Sequence, residues 1–264
     1  MENLKVRGKD SPHHIKRYDF LKRTYGEFSL QDVPARLLKW RGEVQQSHSN
    51  SIINGYTIMI RAVFNYLLAL ELIQKNPITK LRFPKLETKP RDRYLDDAER
   101  GLLLKTIAEH RPQILPIILY MLLVPCRVSE LVFAKREQYN PDTNTVYIPD
   151  SKADMPIYKP VPECLRGYFQ SIPVDCPHLF YKQVGERYYI HHNLRHDWGY
   201  VLKKAGILDL RLHDLRHISS SDLYELGNLE REIMDIAGWK TPMLTHYRHK
   251  NSLRSAQKII FKAN

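Results

Sequence analysis

Two stretches near the C-terminal end carry the side chains best suited to chemistry, "LHDLRHISSS" at 212–221 and "GWKTPMLTHYRH" at 238–249. His213 and Arg216 stand three residues apart and share one face of a helix. Trp239 follows His213 by 26 positions, and Tyr247 closes the second stretch. An imidazole, a guanidinium and two aromatic hydrogen-bond donors in so basic a chain point to one site that holds an anion. Arg127 in "PCRVSEL" and Lys152 in "PDSKADMP" add two cations at punctuated places. Competing readings exist for each. His213 and His217 form H-x-x-x-H, a zinc-helix spacing, but no Glu follows the first His and no third ligand is evident. Lys159 lies in the same segment as Lys152 and competes with it, and a single Tyr among 16 is ordinarily a packing residue.

The elements that must position these groups follow from periodicity. Arg127 ends an apolar helical pattern running from Ile114 to Val124, a rigid floor for its guanidinium. "TNTVYIPDSKADMPIYKPVP" (143–162) alternates and is β-branched or aromatic on both sides of "DSKAD", so it predicts a hairpin with Lys152 in its turn. Helical patterns recur in "PECLRGYFQ", "NLRHDWGYVLKKAG", "HDLRHISSSDLYELG" and "LEREIMDIAGW". Glu130 and Asp214 are expected to be structural, orienting arginines or capping helices. Upstream, residues 15–75 read as helices: one ending at Gly26, one with Asp32 as candidate N-cap, and a third from Asn50 to about Gln74. Residues 81–95, "LRFPKLETKPRDRYL", have the composition of a linker, and Asp96 with Glu99 then makes a capping-box pattern. Two domains are predicted, 1–88 and 89–264.

Net charge narrows the partner. Lys and Arg number 41 against 29 Asp and Glu, a balance of +12 with a pI near 9.5. Residues 1–90 hold 16 basic and 8 acidic side chains, so +8 of the excess lies in the first third. A mean hydropathy of −0.46, and apolar runs read as too short to span a bilayer, argue for a soluble chain. "MENLKVRGKDSPHH" has no apolar signal region. Cys126, Cys164 and Cys176 make neither a disulfide framework nor a zinc site, which suits a reducing cytoplasm. Such a balance attracts a polyanion, and nucleic acid is the commonest.

With these residues in place, the sequence resembles the tyrosine recombinases, the phage-integrase family, which share a catalytic domain with type IB topoisomerases. The pattern is carried by Arg127 with Ser129, Glu130 and Leu131, Lys152 on a hairpin, His213 with Arg216, Trp239 after Gly238, and Tyr247. "PCR" replaces the more usual Thr-Gly-x-Arg, and Trp239 stands where His is commoner. The resemblance implies a mainly α fold with a small β-hairpin or sheet (α+β). Residues 1–88 would be a helical, SAM-like core-binding domain and 89–264 the catalytic domain, together a C-shaped clamp on DNA. It implies catalytic roles for Arg127, Lys152, His213, Arg216, Trp239 and Tyr247, and no cofactor, metal or ATP. The expected partner is double-stranded DNA at a specific site, bound by a homotetramer on paired sites with accessory DNA-bending or excision factors. The tail 250–264 is expected to dock on a neighbouring protomer or on its own domain. A non-cleaving DNA-binding protein and a strand-relaxing topoisomerase remain open alternatives.

Overall fold

The computed structural model describes residues 19, 22, 23, 27, 29–79, 86–87, 93–149 and 156–239. The chain divides into two compact units between residues 91 and 92.

In the first unit, α1 (Val33–Val44) and α2 (Asn50–Ala69) bury Val33, Leu37, Ile60 and Phe64 together with Ile78. Asp32 does precede α1, but its carboxylate accepts from Ser29 Oγ at 2.8 Å and caps nothing. α2 stops at Ala69, short of the predicted Gln74, because Glu71 takes a left-handed φ of 56°. Part of the predicted linker is held on this helix: Asn54 donates to Leu86 O (2.8 Å) and accepts from Leu86 N (3.0 Å).

The view that every apolar run falls short of a membrane span needs correcting. Over its 20 residues, α2 is long and apolar enough by length and composition. It is nonetheless a helix of two characters: Asn54 and Thr57 lie buried and hydrogen-bonded, while Arg61 is exposed.

The second unit is built on α4 (Leu115–Leu123), whose Ile117, Ile118, Tyr120, Met121 and Leu122 are buried. Prolines open the preceding 3-10 turn (Pro112–Ile114) and sit in the first turn of α4, where no intrahelical donor is lost. α3 (Asp97–His110) begins as predicted at Asp96, whose carboxylate accepts Glu99 N–H at 2.7 Å. Glu99 does not reciprocate, because Arg93 takes both of its oxygens at 2.6 and 2.9 Å. After the short α5 (Val128–Val132) come β1 (Tyr139–Asn140), β2 (Thr145–Ile148) and β3 (Ile157–Pro160), one antiparallel sheet in that order. The register pairs Ile148 with Ile157; Lys152, expected in the connection between these strands, lies outside the described residues. A second hairpin, β4 (Lys182–Val184) with β5 (Arg187–Tyr189), was not expected. Around the core lie α6 (Glu163–Gln170), α7 (Leu194–Ala205), α8 (Leu212–Glu225) and α9 (Glu230–Ala237). The molecule is therefore mainly helical with small antiparallel sheets.

Candidate active site

Arg127 occupies the N-cap position of α5, where Glu130 holds it twice. The Glu130 carboxylate accepts the Arg127 backbone N–H at 2.9 Å and its Nη1 at 2.7 Å. Sequence spacing explains this, since residues N-cap and N3 of one helix meet. The guanidinium is about one-fifth exposed and Glu130 only 5%.

Arg216 lies inside the protein at 2% exposure, on the buried side of α8. Its Nη2 donates to Ala237 O at 2.6 Å, while Nη1 is buried with no partner among the described residues. Burial, and then Arg127, weaken its hold on its proton, with Glu130 opposing. The two guanidiniums thus repel one another, and Glu130, bonded to Arg127, also favours the charge on Arg216. Burial alone would raise Glu130, but Lys159, the two hydrogen bonds from Arg127, and Arg216 outweigh it and hold the carboxyl below its ordinary range.

Lys159, the weighed alternative to Lys152, is completely buried. Its Nζ donates to Pro125 O (3.0 Å) and Ile236 O (2.6 Å) and pairs with Glu130 Oε2 (3.4 Å). All three ammonium protons are therefore engaged by the interior. Alternation along β3 could have shown this: Ile157 and Lys159 point to one face, and that face is the core. The three carbonyls that receive Lys159 and Arg216, those of Pro125, Ile236 and Ala237, leave no trace in side-chain types and could not be read from the sequence.

His213 is exposed in the first turn of α8, its ring edge-on to His217 at 5.2 Å. Burial, and then the neighbouring His213, hold His217 below its ordinary value. No group of three metal-ligating residues occurs among the described residues. Asp214 caps α8 by accepting Arg211 N–H at 2.8 Å, the structural role expected of it.

Trp239 is half-buried, its ring centroid 5.4 Å from Arg216 Cζ. Its place is set by Gly238, which ends α9 at φ 68°. Trp239 N–H bonds Met234 O and Gly238 N–H bonds Asp235 O, the two bonds of a Schellman stop. A Cβ on Gly238 would also run into Ile157 Cδ1 of β3. Gly238→Ala is expected to lose about 1–3 kcal/mol of stability from the left-handed strain and the clash, read as a lowered melting temperature.

The structure thus joins Arg127 and Lys159 through Glu130 and sets Trp239 beside Arg216, with His213 on the helix that carries Arg216. Lys152 and Tyr247 lie outside the described residues.

A mainly helical fold with small antiparallel sheets is shared with solved DNA-bound integrases. The Tn1549 transposon integrase in complex with transposon right end DNA matches 96% of this chain and 97% of its own at a TM-score of 0.72 and 16% identity. A lambda integrase dimer bound to a COC′ core site matches at 0.70 and 14% identity, covering 100% of this chain and 78% of its own. At these identities the likeness speaks for the fold. Residues 93–254 match the Phage integrase family, so the chain belongs to that family, the tyrosine recombinases, which are DNA strand-transferring enzymes. In sequence it is similar to the shufflon-specific DNA recombinase of Escherichia coli, 23% identical over 93% of this chain and 64% of that protein. It is also similar to the tyrosine recombinase XerA of Thermococcus kodakarensis, 26% identical over 98% of this chain and 92% of that one.

Proposed function

We propose that this chain is a site-specific recombinase that cuts and rejoins double-stranded DNA through a covalent bond to Tyr247. The observation that carries the reading is the Arg216 guanidinium, buried beside Arg127 with Nη1 lacking any described partner. An interior cation left short of acceptors is costly, and an arriving anion with two free oxygens would satisfy it.

In this reading Arg127 and Arg216 hold the non-bridging oxygens of the scissile phosphate and neutralise the charge that builds there. The Tyr247 oxygen attacks phosphorus, its proton passing to His213 or through it to water. The bond from phosphorus to the sugar 5′-oxygen breaks, and Lys152 supplies the proton that leaves with it as a 5′-hydroxyl. Trp239 offers its indole N–H to a phosphate oxygen. The 3′-phosphotyrosyl linkage conserves the bond energy, so a second 5′-hydroxyl can reverse the step without ATP. The basic first unit and the catalytic unit would each bind the duplex, two protomers per site and four on paired sites, in the cytoplasm and with accessory bending factors.

The test is a duplex nicked close to the cleavage position, so that the short 5′-hydroxyl strand diffuses away. Denaturing gels are expected to show a covalent protein–DNA adduct, and mass spectrometry to map it to the peptide holding Tyr247. Tight DNA binding with no adduct would instead identify a non-cleaving binder. Relaxation of arbitrary plasmids would favour a topoisomerase.

A further inference from the structure

The C-terminal end of α9 has no side-chain cap of its own. Its last carbonyls are taken by two cations from elsewhere in the fold, Ile236 O by Lys159 and Ala237 O by Arg216. Carbonyls at a helix end are unpaired and carry its negative dipole, so cations there are favoured. Lys159 then reaches further. Its contact with Pro125 O lies two residues before Arg127, and its contact with Glu130 meets the carboxylate that holds Arg127. One ammonium joins the turn that presents Arg127 to the helix end that presents Trp239.

We infer that Lys159 is a positioning residue that locks the Arg127 turn to the end of α9, so that its charge sets the geometry of strand cleavage without touching DNA. Hydrophobic replacement would fill the space, but it would free Pro125 O and Ile236 O and leave the Glu130 carboxylate without its deepest cation. Burial lowers the ammonium's proton affinity, and the Glu130 carboxylate opposes that loss. The Cys126 thiol beside it is pushed up to about 12 by burial, so it stays a neutral neighbour. The inference rests on the recombinase reading above, and its test keeps the two apart.

Lys159→Met and Lys159→Arg would be compared with wild type in single-turnover cleavage of the nicked site at saturating protein. Lys159→Met is expected to cut on the order of 100-fold more slowly, as misplacement of this kind does, while DNA affinity stays within about threefold. Lys159→Arg restores the charge and is expected to recover most of the rate. Amide exchange in 233–239 would be followed in parallel and should accelerate in Lys159→Met alone. Unchanged cleavage in Lys159→Met overturns the inference. So does a parallel fall in rate, affinity and melting temperature that Lys159→Arg does not relieve, since that describes a plain core residue. If wild type itself forms no adduct, the recombinase reading fails, and the exchange data alone decide whether Lys159 holds the helix end.

Discussion

Arg216→Lys is expected to cleave DNA about 10²- to 10³-fold more slowly than wild type, a loss of roughly 3–4 kcal/mol in transition-state stabilisation. Lysine keeps the charge and can still reach Ala237 O. It cannot supply a second N–H in the same plane, nor the flat face now 5.4 Å from the Trp239 ring. DNA affinity should change little, because a chain of net charge +12 is expected to bind through many phosphates at once. The same residue gives a sharper contrast in Arg216→Met. Arg216 is buried, repelled by Arg127 and short of one acceptor, so its charge is tolerated at a cost to the fold. Removing it relieves that repulsion but frees Ala237 O and takes one cation from Glu130, so a net loss of about 1–3 kcal/mol is expected. Arg216→Met should therefore stay folded, melt a few degrees lower than wild type by the loss just given, and cleave no DNA. Cleavage retained in either variant would remove the guanidinium from the proposed phosphate site.

The sequence was most legible where local patterns and interior geometry agree. The apolar run before Arg127, the alternation around "DSKAD" and the Asp96 cap all describe short-range physics, and each element appears close to its expected bounds. Errors arose where one residue's backbone or one distant partner decided the outcome. Glu71 ended α2 by turning left-handed, against a helical pattern that continued to Gln74. Glu99 abandoned the capping box for Arg93, six residues earlier and stronger as a charge-assisted pair. Lys159 read as a second lysine of the hairpin that competes with Lys152, yet the pleat of β3 turns it inward with Ile157. The β4–β5 hairpin was missed because its strands are only three residues long and almost wholly exposed, so no burial pattern marks them. The residue types at the site were all visible beforehand. Its wiring through the carbonyls of Pro125, Ile236 and Ala237 was not, because backbone acceptors have no letter of their own.

Glu130 is where that wiring makes its largest demand on stability. Two guanidiniums and an ammonium surround this carboxylate, which is 5% exposed and bonded to Arg127 and Lys159. Glu130→Gln keeps the shape and one carbonyl acceptor but deletes the negative charge, leaving Arg127, Lys159 and Arg216 to repel one another. Removing one partner of a buried ionic cluster costs about 3–5 kcal/mol, so the melting temperature should fall on the order of 10 °C. The sign with pH follows from linkage. Glu130 is held below its ordinary value, so its stabilisation is complete above the unfolded carboxyl pKa of about 4.3 and is lost as pH falls through the lower folded value. Wild type should therefore show an acid limb below about pH 4 that Glu130→Gln lacks, the variant being weakened already at neutral pH. Because the defect is an excess of positive charge at a place proposed to receive phosphate, added sulfate should raise the melting temperature of Glu130→Gln more than that of wild type. Equal responses to sulfate, or a variant as stable as wild type, would show that the three cations do not press on one another and that the cluster is not poised for an anion.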